Sequence, residues 1–557
     1  MIFMKEYVIE ILSKELKISK EEISKLVEIP PTSEMGDFAF PCFSLAKIEK
    51  KNPMLIAENL AEKLRKKLPK EISNVDAKTG YVNFFINKNI LVEKVLKEVV
   101  NKGYGSGKQG KKYIMDYSHP NVAKHFGVHN LRSTLIGHAL YNILKYSGNN
   151  VFSTNYLGDW GTQFGKLIVA FKKWGKKSEL KDIEYLNKLY VKFHEECDKD
   201  EKIKEKLETE ARAEFKKLED GNKENLELWK KFLELSLKEF KETYKILGIE
   251  FDEFKGESFY HDKIKEVIKK LRDKNILEKS EGAEVVRIND SMPPAIIEKS
   301  DEASTYASRD LTAILYRLKQ NPDKILYIVD MRQSLHFEQV FAVAEKIGID
   351  KNKLLHLKFG LMKFKDMEMS TRKGKVILFD SLLEKAEQEI LKIINQKNPE
   401  LKNKQKVARK VALAAIIYAD LQNNRVHDVV FDWEQALSFD GKSGPYLLYT
   451  YARASSVLNK VKKSKAFKII DLKKEEISLI KKLEEFPLKV EQASSQFAPH
   501  IIAEYAFELA QVFNEFYHAC PVIGDKEQDF RLKLVEAFRI VIKQALNLLG
   551  IETVEEM

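Results

Sequence analysis

Cysteine is nearly absent: Cys42, Cys197 and Cys520 are the only three in 557 residues. They stand too far apart for a disulfide framework or a Cys-x-x-Cys zinc site, so a reducing, cytoplasmic setting is expected. No run of about 18 apolar residues is present to span a bilayer. The opening Met1-Ile-Phe-Met-Lys-Glu-Tyr-Val-Ile-Glu10 lacks the layout of a signal peptide, and a soluble protein with no membrane partner is expected. Two nucleotide fingerprints are missing where they would count. The loop after the first clear strand, at 113–117, has no Gly-x-Gly-x-x-Gly. Gly105 to Lys112 has the look of a P-loop but lacks the Ser or Thr and precedes the strand. Ordinary dinucleotide and P-loop chemistry are thereby set aside.

What is present begins with length and charge. A chain of 557 residues has room for two to four domains with large cores. Basic residues number 95 against 84 acidic, a net charge of +11, and residues 401–470 alone hold 13 basic and 5 acidic residues. Such a local excess suits a polyanion such as RNA.

The chain is organised around Tyr113-Ile-Met-Asp-Tyr-Ser-His-Pro-Asn-Val-Ala-Lys-His-Phe-Gly-Val-His-Asn-Leu-Arg-Ser-Thr134. Residues 113–117 read as a buried strand. Val128, Leu131, Leu135, Ala139, Leu140, Ile143 and Leu144 recur at helical spacing, with Gly148 closing the helix. A second strand follows over 151–156, which completes a βαβ unit. The helix start near Val128 is suited to an anion, because its first N–H groups lack partners and the helix dipole adds positive charge.

The words Ser118-His-Pro-Asn-Val-Ala-Lys124 and Leu131-Arg-Ser-Thr134 resemble arginyl-tRNA synthetases of the class I fold. Set in register, the family's His-x-Gly-His signature falls on Gly127, Val128, His129 and Asn130, so neither signature histidine is matched. The resemblance implies ATP binding by Gly127, Val128 and Asn130. It also implies phosphate neutralisation by Lys124, with His125 and His129 as neighbouring candidates.

Taken in order, residues 1–105 read as an α+β domain. It has an amphipathic helix (Val8, Ile11, Leu12, Leu16), a second helix from Ile56 to Leu68, and Gly80–Ile86 as the edge of a small sheet. It is similar to the N-terminal domain with which the family grips tRNA, and Phe38 is the contact expected there. Four glycines in Gly103–Gly110 mark a boundary, and a Rossmann-like α/β catalytic domain is expected over 106–394. Asn155-Tyr-Leu-Gly-Asp-Trp-Gly-Thr-Gln-Phe-Gly165 lies at a strand end, where open α/β sheets bind ligands. Residues 176–248 read as inserted helices that carry no chemistry of their own.

Three later segments, Phe251–Ser258, Tyr306-Ala-Ser-Arg-Asp310 and His336-Phe-Glu-Gln339, set polar groups beside apolar runs. A guanidinium is a planar, permanently charged fork of donors that calls for carboxylates and a phenol oxygen. The resemblance assigns Glu257, Tyr306 and Asp310 to it, with Gln339 nearby, Asn121 near the amino acid's backbone groups and His336 facing ATP. Glu368-Met-Ser-Thr-Arg-Lys-Gly374 corresponds to the family's KMSKS loop but lacks both of its lysines. Arg372 is placed there as a catalytic cation, with Met369, Ser370 and Lys373 at the nucleotide.

From 395 to 557 apolar periodicity predicts an all-α bundle. Leu421–Arg425, Gly441–Tyr446 and Tyr449–Arg453 interleave aromatic and basic residues, a pattern suited to stacking on unpaired bases. The end of the chain resembles the family's anticodon-binding domain, with Arg425, Tyr446 and Arg453 as the tRNA contacts. The function implied is an arginine–tRNA ligase using ATP with Mg2+, L-arginine and tRNA(Arg). The enzyme is expected to be a monomer, to have no DNA partner and to hold no metal of its own. Three rivals are a non-catalytic tRNA-binding relative, a synthetase for another amino acid, and a metal hydrolase built on His125 and His129.

Overall fold

The computed structural model describes residues 2–300, 304–365, 377–461, 467 and 469–557. The N-terminal part is a three-stranded antiparallel sheet packed on the helix Pro53–Arg65, and the helix Lys88–Val99 that follows packs on the C-terminal helices Lys474–Glu484 and Gln528–Leu548. Tyr81–Ile86 is its central strand, not the expected edge: Phe38–Pro41 pairs on one side and Ile72–Lys78 on the other. Its apolar side chains Val82, Phe84 and Ile86 share one face and are all buried. Phe38 faces Phe84 across this sheet and is 2% exposed. The expectation that its ring meets tRNA is corrected, because it is part of the core.

The glycine-rich stretch is packed in place instead of hanging free. A Cβ on Gly107 would lie 2.6 Å from the Ser147 carbonyl oxygen, and one on Gly148 would lie 2.4 Å from that of Gly107. Tyr104 next to it donates its hydroxyl to the Leu483 carbonyl at 3.0 Å, tying the stretch to the C-terminal helices.

The catalytic part is a five-stranded parallel sheet with Lys112–Asp116 in the middle. Asn150–Asn155 and Glu253–Phe254 lie on one side, and Lys324–Tyr327 and Leu354–His356 on the other. The chain therefore reverses its direction of winding next to Lys112–Asp116, and ligands of such sheets bind in the crevice beyond the strand ends at that switch point. The expected βαβ unit is present, with the helix Val128–Tyr146 between its strands. That helix is buried along most of its circumference, as fits a sequence apolar on several faces. At Gly137 it passes so close to Tyr117 that a Cβ would lie 2.3 Å from the ring.

The inserted helices Ile183–Cys197, Glu201–Glu219 and Lys223–Leu247 pack beside Thr162–Trp174. A small antiparallel sheet, Glu278–Ser280, Ala283–Val286 and Ala295–Glu298, follows them. Met362–Phe364 pairs in parallel with Val429–Phe431, so the catalytic and helical parts share a strand pair. The boundary expected at 394/395 lies inside the helix Phe379–Lys397, and the next helix starts at Lys404. Beyond it stand the expected bundle helices, including Gly444–Asn459, Lys474–Glu484, His500–Ala519 and Gln528–Leu548. Three of these are locked together: the buried Arg531–Glu476 pair at 2.7 Å joins Gln528–Leu548 to Lys474–Glu484, and Phe513 stacked on Phe538 joins it to His500–Ala519.

Candidate active site

The crevice opens where Asp116 ends the central strand. Burial pushes the Asp116 carboxyl up, but the buried Arg317 guanidinium at 2.7 Å and His119 at 2.9 Å hold it below the ordinary carboxylate range. Beyond it the loop turns through three non-glycine residues in the left-handed region, Ser118, His119 and Ala123. That conformation is costly and has to be held by its surroundings. The Ser118 N–H donates to Ser133 Oγ at 3.0 Å, Thr134 donates to Ser118 Oγ at 2.7 Å, and Ser133 donates to the Ile328 carbonyl at 2.7 Å. The serine and threonine of Leu131-Arg-Ser-Thr134 thus fasten the loop to the helix. Arg132 points the other way, to Asp420 at 2.8 Å and to the Leu361 and His427 carbonyls.

The insertion braces the loop of the site. Ser236 Oγ accepts the Ala123 N–H at 2.9 Å, and the Tyr244 hydroxyl lies 2.7 Å from Ser118 Oγ. His125 is clamped by it: Nδ1 lies 3.1 Å from Glu239 and Nε2 2.9 Å from Glu184. The Glu239 hydrogen bond is the first cause of its raised pKa. Both of its nitrogens are engaged, so a phosphate contact by His125 is corrected to a strut between loop and insertion.

At the helix start, the Val128 N–H is already donated to the Ile377 carbonyl at 3.0 Å and the Asn130 N–H to Gly127 at 2.9 Å. Among the first three N–H groups, only that of His129 has no partner among the described residues. The His129 side chain is exposed at the first turn. Desolvation in the crevice lowers its pKa, and Lys124 and Arg332 lower it further, which favours the neutral imidazole. Lys124 is half-buried, with its ammonium 5.3 Å over the Tyr190 ring and no carboxylate partner among the described residues. Burial lowers its pKa.

A second cluster lies at the ends of the neighbouring strands. Glu257 opens the helix Glu257–His261 and is 8% exposed, with its carboxyl pushed up to about 8 by burial, against the pull of Arg309 and with Asp310 and Asp159 adding to the rise. Arg309 Nε lies 3.2 Å from Glu257 Oε2, and the Arg309 guanidinium sits 4.9 Å over the ring of Tyr306, itself 67% exposed. Asp310 receives His336 Nε2 at 2.5 Å. His336, expected to face ATP, is therefore engaged at the carboxylate assigned to arginine. Gln339 donates to the Pro293 carbonyl at 2.8 Å, and Asn121 is exposed, bridged to Gly158. Sequence reasoning missed Arg309 and Asp159. The spacing of Tyr306, Arg309 and Asp310, i, i+3 and i+4 on one helix, puts all three on one face and was the available signal.

Met369, Ser370, Arg372 and Lys373 lie outside the described residues. Of the tRNA candidates, Arg425 donates to the Lys358 and Phe497 carbonyls at 2.8 and 3.2 Å; its guanidinium ties domains together, which corrects its assignment. Arg453 stacks over Tyr449 and Tyr517 and donates to Asn514, which also donates to the Tyr446 hydroxyl. Among the described residues no group of three or more His, Cys, Asp and Glu could hold a metal ion, and no helix is long and apolar enough to cross a membrane.

A parallel sheet with this crevice, an insertion and a trailing helical bundle is the arrangement of class I aminoacyl-tRNA synthetases. Residues 89–433 match the family model for the catalytic domain of class I tRNA synthetases (R). Residues 3–86 match the arginyl tRNA synthetase N terminal domain and 447–557 the DALR anticodon binding domain. Arginine--tRNA ligase of Clostridium botulinum (strain Langeland) is 46% identical over 99% of this chain and 100% of its own length, and that of Clostridium perfringens (strain 13) is 45% identical over the same shares. The solved arginyl-tRNA synthetase of Thermus thermophilus superposes with a TM-score of 0.81 at 25% identity, covering 95% of this chain and 96% of that one. The Plasmodium falciparum structure gives 0.77 at 24% identity, over 95% and 94%. The chain belongs to the arginyl-tRNA synthetase family.

Proposed function

We propose that this chain activates L-arginine with Mg-ATP and transfers it to the 3′ end of tRNA(Arg). The observation that carries the reading is the cluster of Glu257, Tyr306 and Asp310, in which Glu257 and the Tyr306 ring already meet a guanidinium, here that of Arg309, with Asp310 close enough to Glu257 to raise its pKa. In the first step the arginine carboxylate oxygen attacks the α-phosphorus and the bond to pyrophosphate breaks, leaving arginyl-adenylate. In the second a ribose hydroxyl of the terminal nucleotide attacks the acyl carbon, and AMP leaves. Both steps depend on positioning and on compensating phosphate charge, not on a covalent enzyme intermediate.

Lys124 supplies a desolvated cation without a competing carboxylate among the described residues, and the His129 N–H and imidazole stand at the helix start. Gly127, Val128 and Asn130 shape that start, while Met369, Ser370, Arg372 and Lys373 complete the nucleotide site by resemblance. On this reading Glu257, Tyr306 and Asp310 hold the arginine side chain, with Gln339 beside it and Asn121 at the amino acid's backbone end. Tyr446 and Arg453 face tRNA, backed by Asn514. The protein works in the cytoplasm as a monomer with no DNA partner. A non-catalytic relative is disfavoured by identity of 44–46% along the full length of arginine--tRNA ligases. Arginine-dependent exchange of pyrophosphate into ATP, measured with and without tRNA, tests the first step; exchange driven equally by lysine would count against it.

A further inference from the structure

We propose that Arg309 is a positioning residue for substrate choice. Its guanidinium fixes the Glu257 carboxyl and lowers the cost of its negative charge, so that the pocket prefers a charged guanidinium to a neutral side chain of the same shape. The inference rests on the reading that this pocket takes arginine.

Three carboxylates meet here. Asp159 is already bonded to the Ser258 N–H at 2.8 Å and to its hydroxyl at 2.6 Å, and Asp310 is bonded to His336. Glu257 Oε2 is buried with no hydrogen-bond partner among the described residues, and so is Arg309 Nε, 3.2 Å away. The two are close enough to attract but misaligned for a hydrogen bond, so the Glu257 oxygen keeps its accepting capacity beside a cation that stabilises its charge. Arg309 is itself held by its ring contact with Tyr306 and by donation to Ser304 at 3.3 Å. Even beside Arg309 the Glu257 carboxyl is pushed up to about 8, and without that cation, buried and flanked by Asp159 and Asp310, it would be harder still to ionise when a guanidinium binds. A carboxylate only accepts and a guanidinium only donates, whereas a protonated carboxyl can also donate to a ureido oxygen. Charge on Glu257 is thus what distinguishes arginine from L-citrulline, its uncharged ureido analogue.

The test is arginine activation by the full-length protein, with L-citrulline as competitor, in Arg309→Met and Arg309→Lys. Arg309→Met should raise the arginine KM roughly ten- to hundredfold while the ATP KM stays within about twofold, and citrulline should compete far closer to arginine's own level. Arg309→Lys should restore most of the discrimination, which a purely structural role would not produce. Should Arg309→Met fail to fold, Arg309→Lys and Glu257→Gln carry the test: Glu257→Gln should lose the discrimination, and adding Arg309→Lys to it should change nothing further. Unaltered or tighter arginine binding in Arg309→Met with discrimination intact overturns the inference, as does additivity in the double variant. A wild-type protein that fails to activate arginine at all would instead sink the functional reading, so the two failures are distinguishable.

Discussion

Arginine binding should release a proton at neutral pH. Glu257 is pushed up to about 8 mainly by burial, which Arg309 only partly offsets and Asp310 and Asp159 reinforce. With that value roughly nine in ten of the free sites carry a proton at pH 7, and the incoming guanidinium, which can only donate, displaces it. Arginine affinity should therefore fall about tenfold for each pH unit below 8, equivalent to about 1.4 kcal/mol, and level off above it. The stability of the free protein runs the other way. A carboxyl whose folded pKa is raised contributes stability that is fully present below its unfolded range near 4.5 and is lost as pH rises through 8. The assay is titration calorimetry at pH 7 in two buffers of very different ionisation enthalpy. The difference in heat should correspond to about one proton per arginine bound. In Glu257→Gln the buffer dependence should vanish, which separates this carboxyl from the nearby His336–Asp310 pair. Identical heats in both buffers, or an undiminished difference in Glu257→Gln, would refute the reasoning.

Other perturbations act elsewhere in the site. Asp310→Asn should weaken arginine binding by roughly 1.5 to 3 kcal/mol while sparing ATP, read as separate KM values; equal losses for both substrates would contradict the pocket. Lys124→Ala should slow single-turnover adenylate formation by about two orders of magnitude with arginine and tRNA binding intact, because its benefit appears in the transition state. His125→Ala should lower the unfolding midpoint in urea, by about 1 to 2 kcal/mol, and leave chemistry within severalfold; abolished adenylate formation would restore it to the chemistry. Asp420→Asn leaves the buried Arg132 charge uncompensated where the catalytic helix meets the helical domain, and should cost about 3 to 5 kcal/mol in urea unfolding.

Much of this architecture was legible in the chain because its signals are local. The βαβ unit around 113–156 announces itself by periodicity and a closing glycine, and the C-terminal helices by long apolar stripes. The small sheet at 278–298 was not legible: its strands are three or four residues long and half polar. The centrality of Tyr81–Ile86 escaped because a strand's neighbours are set by the whole domain. The clamp on His125 joins residues 59 and 114 positions apart, and no spacing rule reaches that far. Phe38 and Arg425 were misjudged for one reason. An aromatic ring or a guanidinium that suits RNA in a sequence suits a core or a pair of carbonyls equally well, and only burial and partners decide between them.

The central claim, that this chain joins arginine to tRNA, is tested most directly by incubating the purified protein with labelled arginine, Mg-ATP and tRNA and measuring acid-precipitable arginyl-tRNA. Arginyl-tRNA should form only when all three are present, with AMP and pyrophosphate appearing in step. Binding of tRNA with no arginyl-tRNA formed, or equal charging with lysine, would contradict the account.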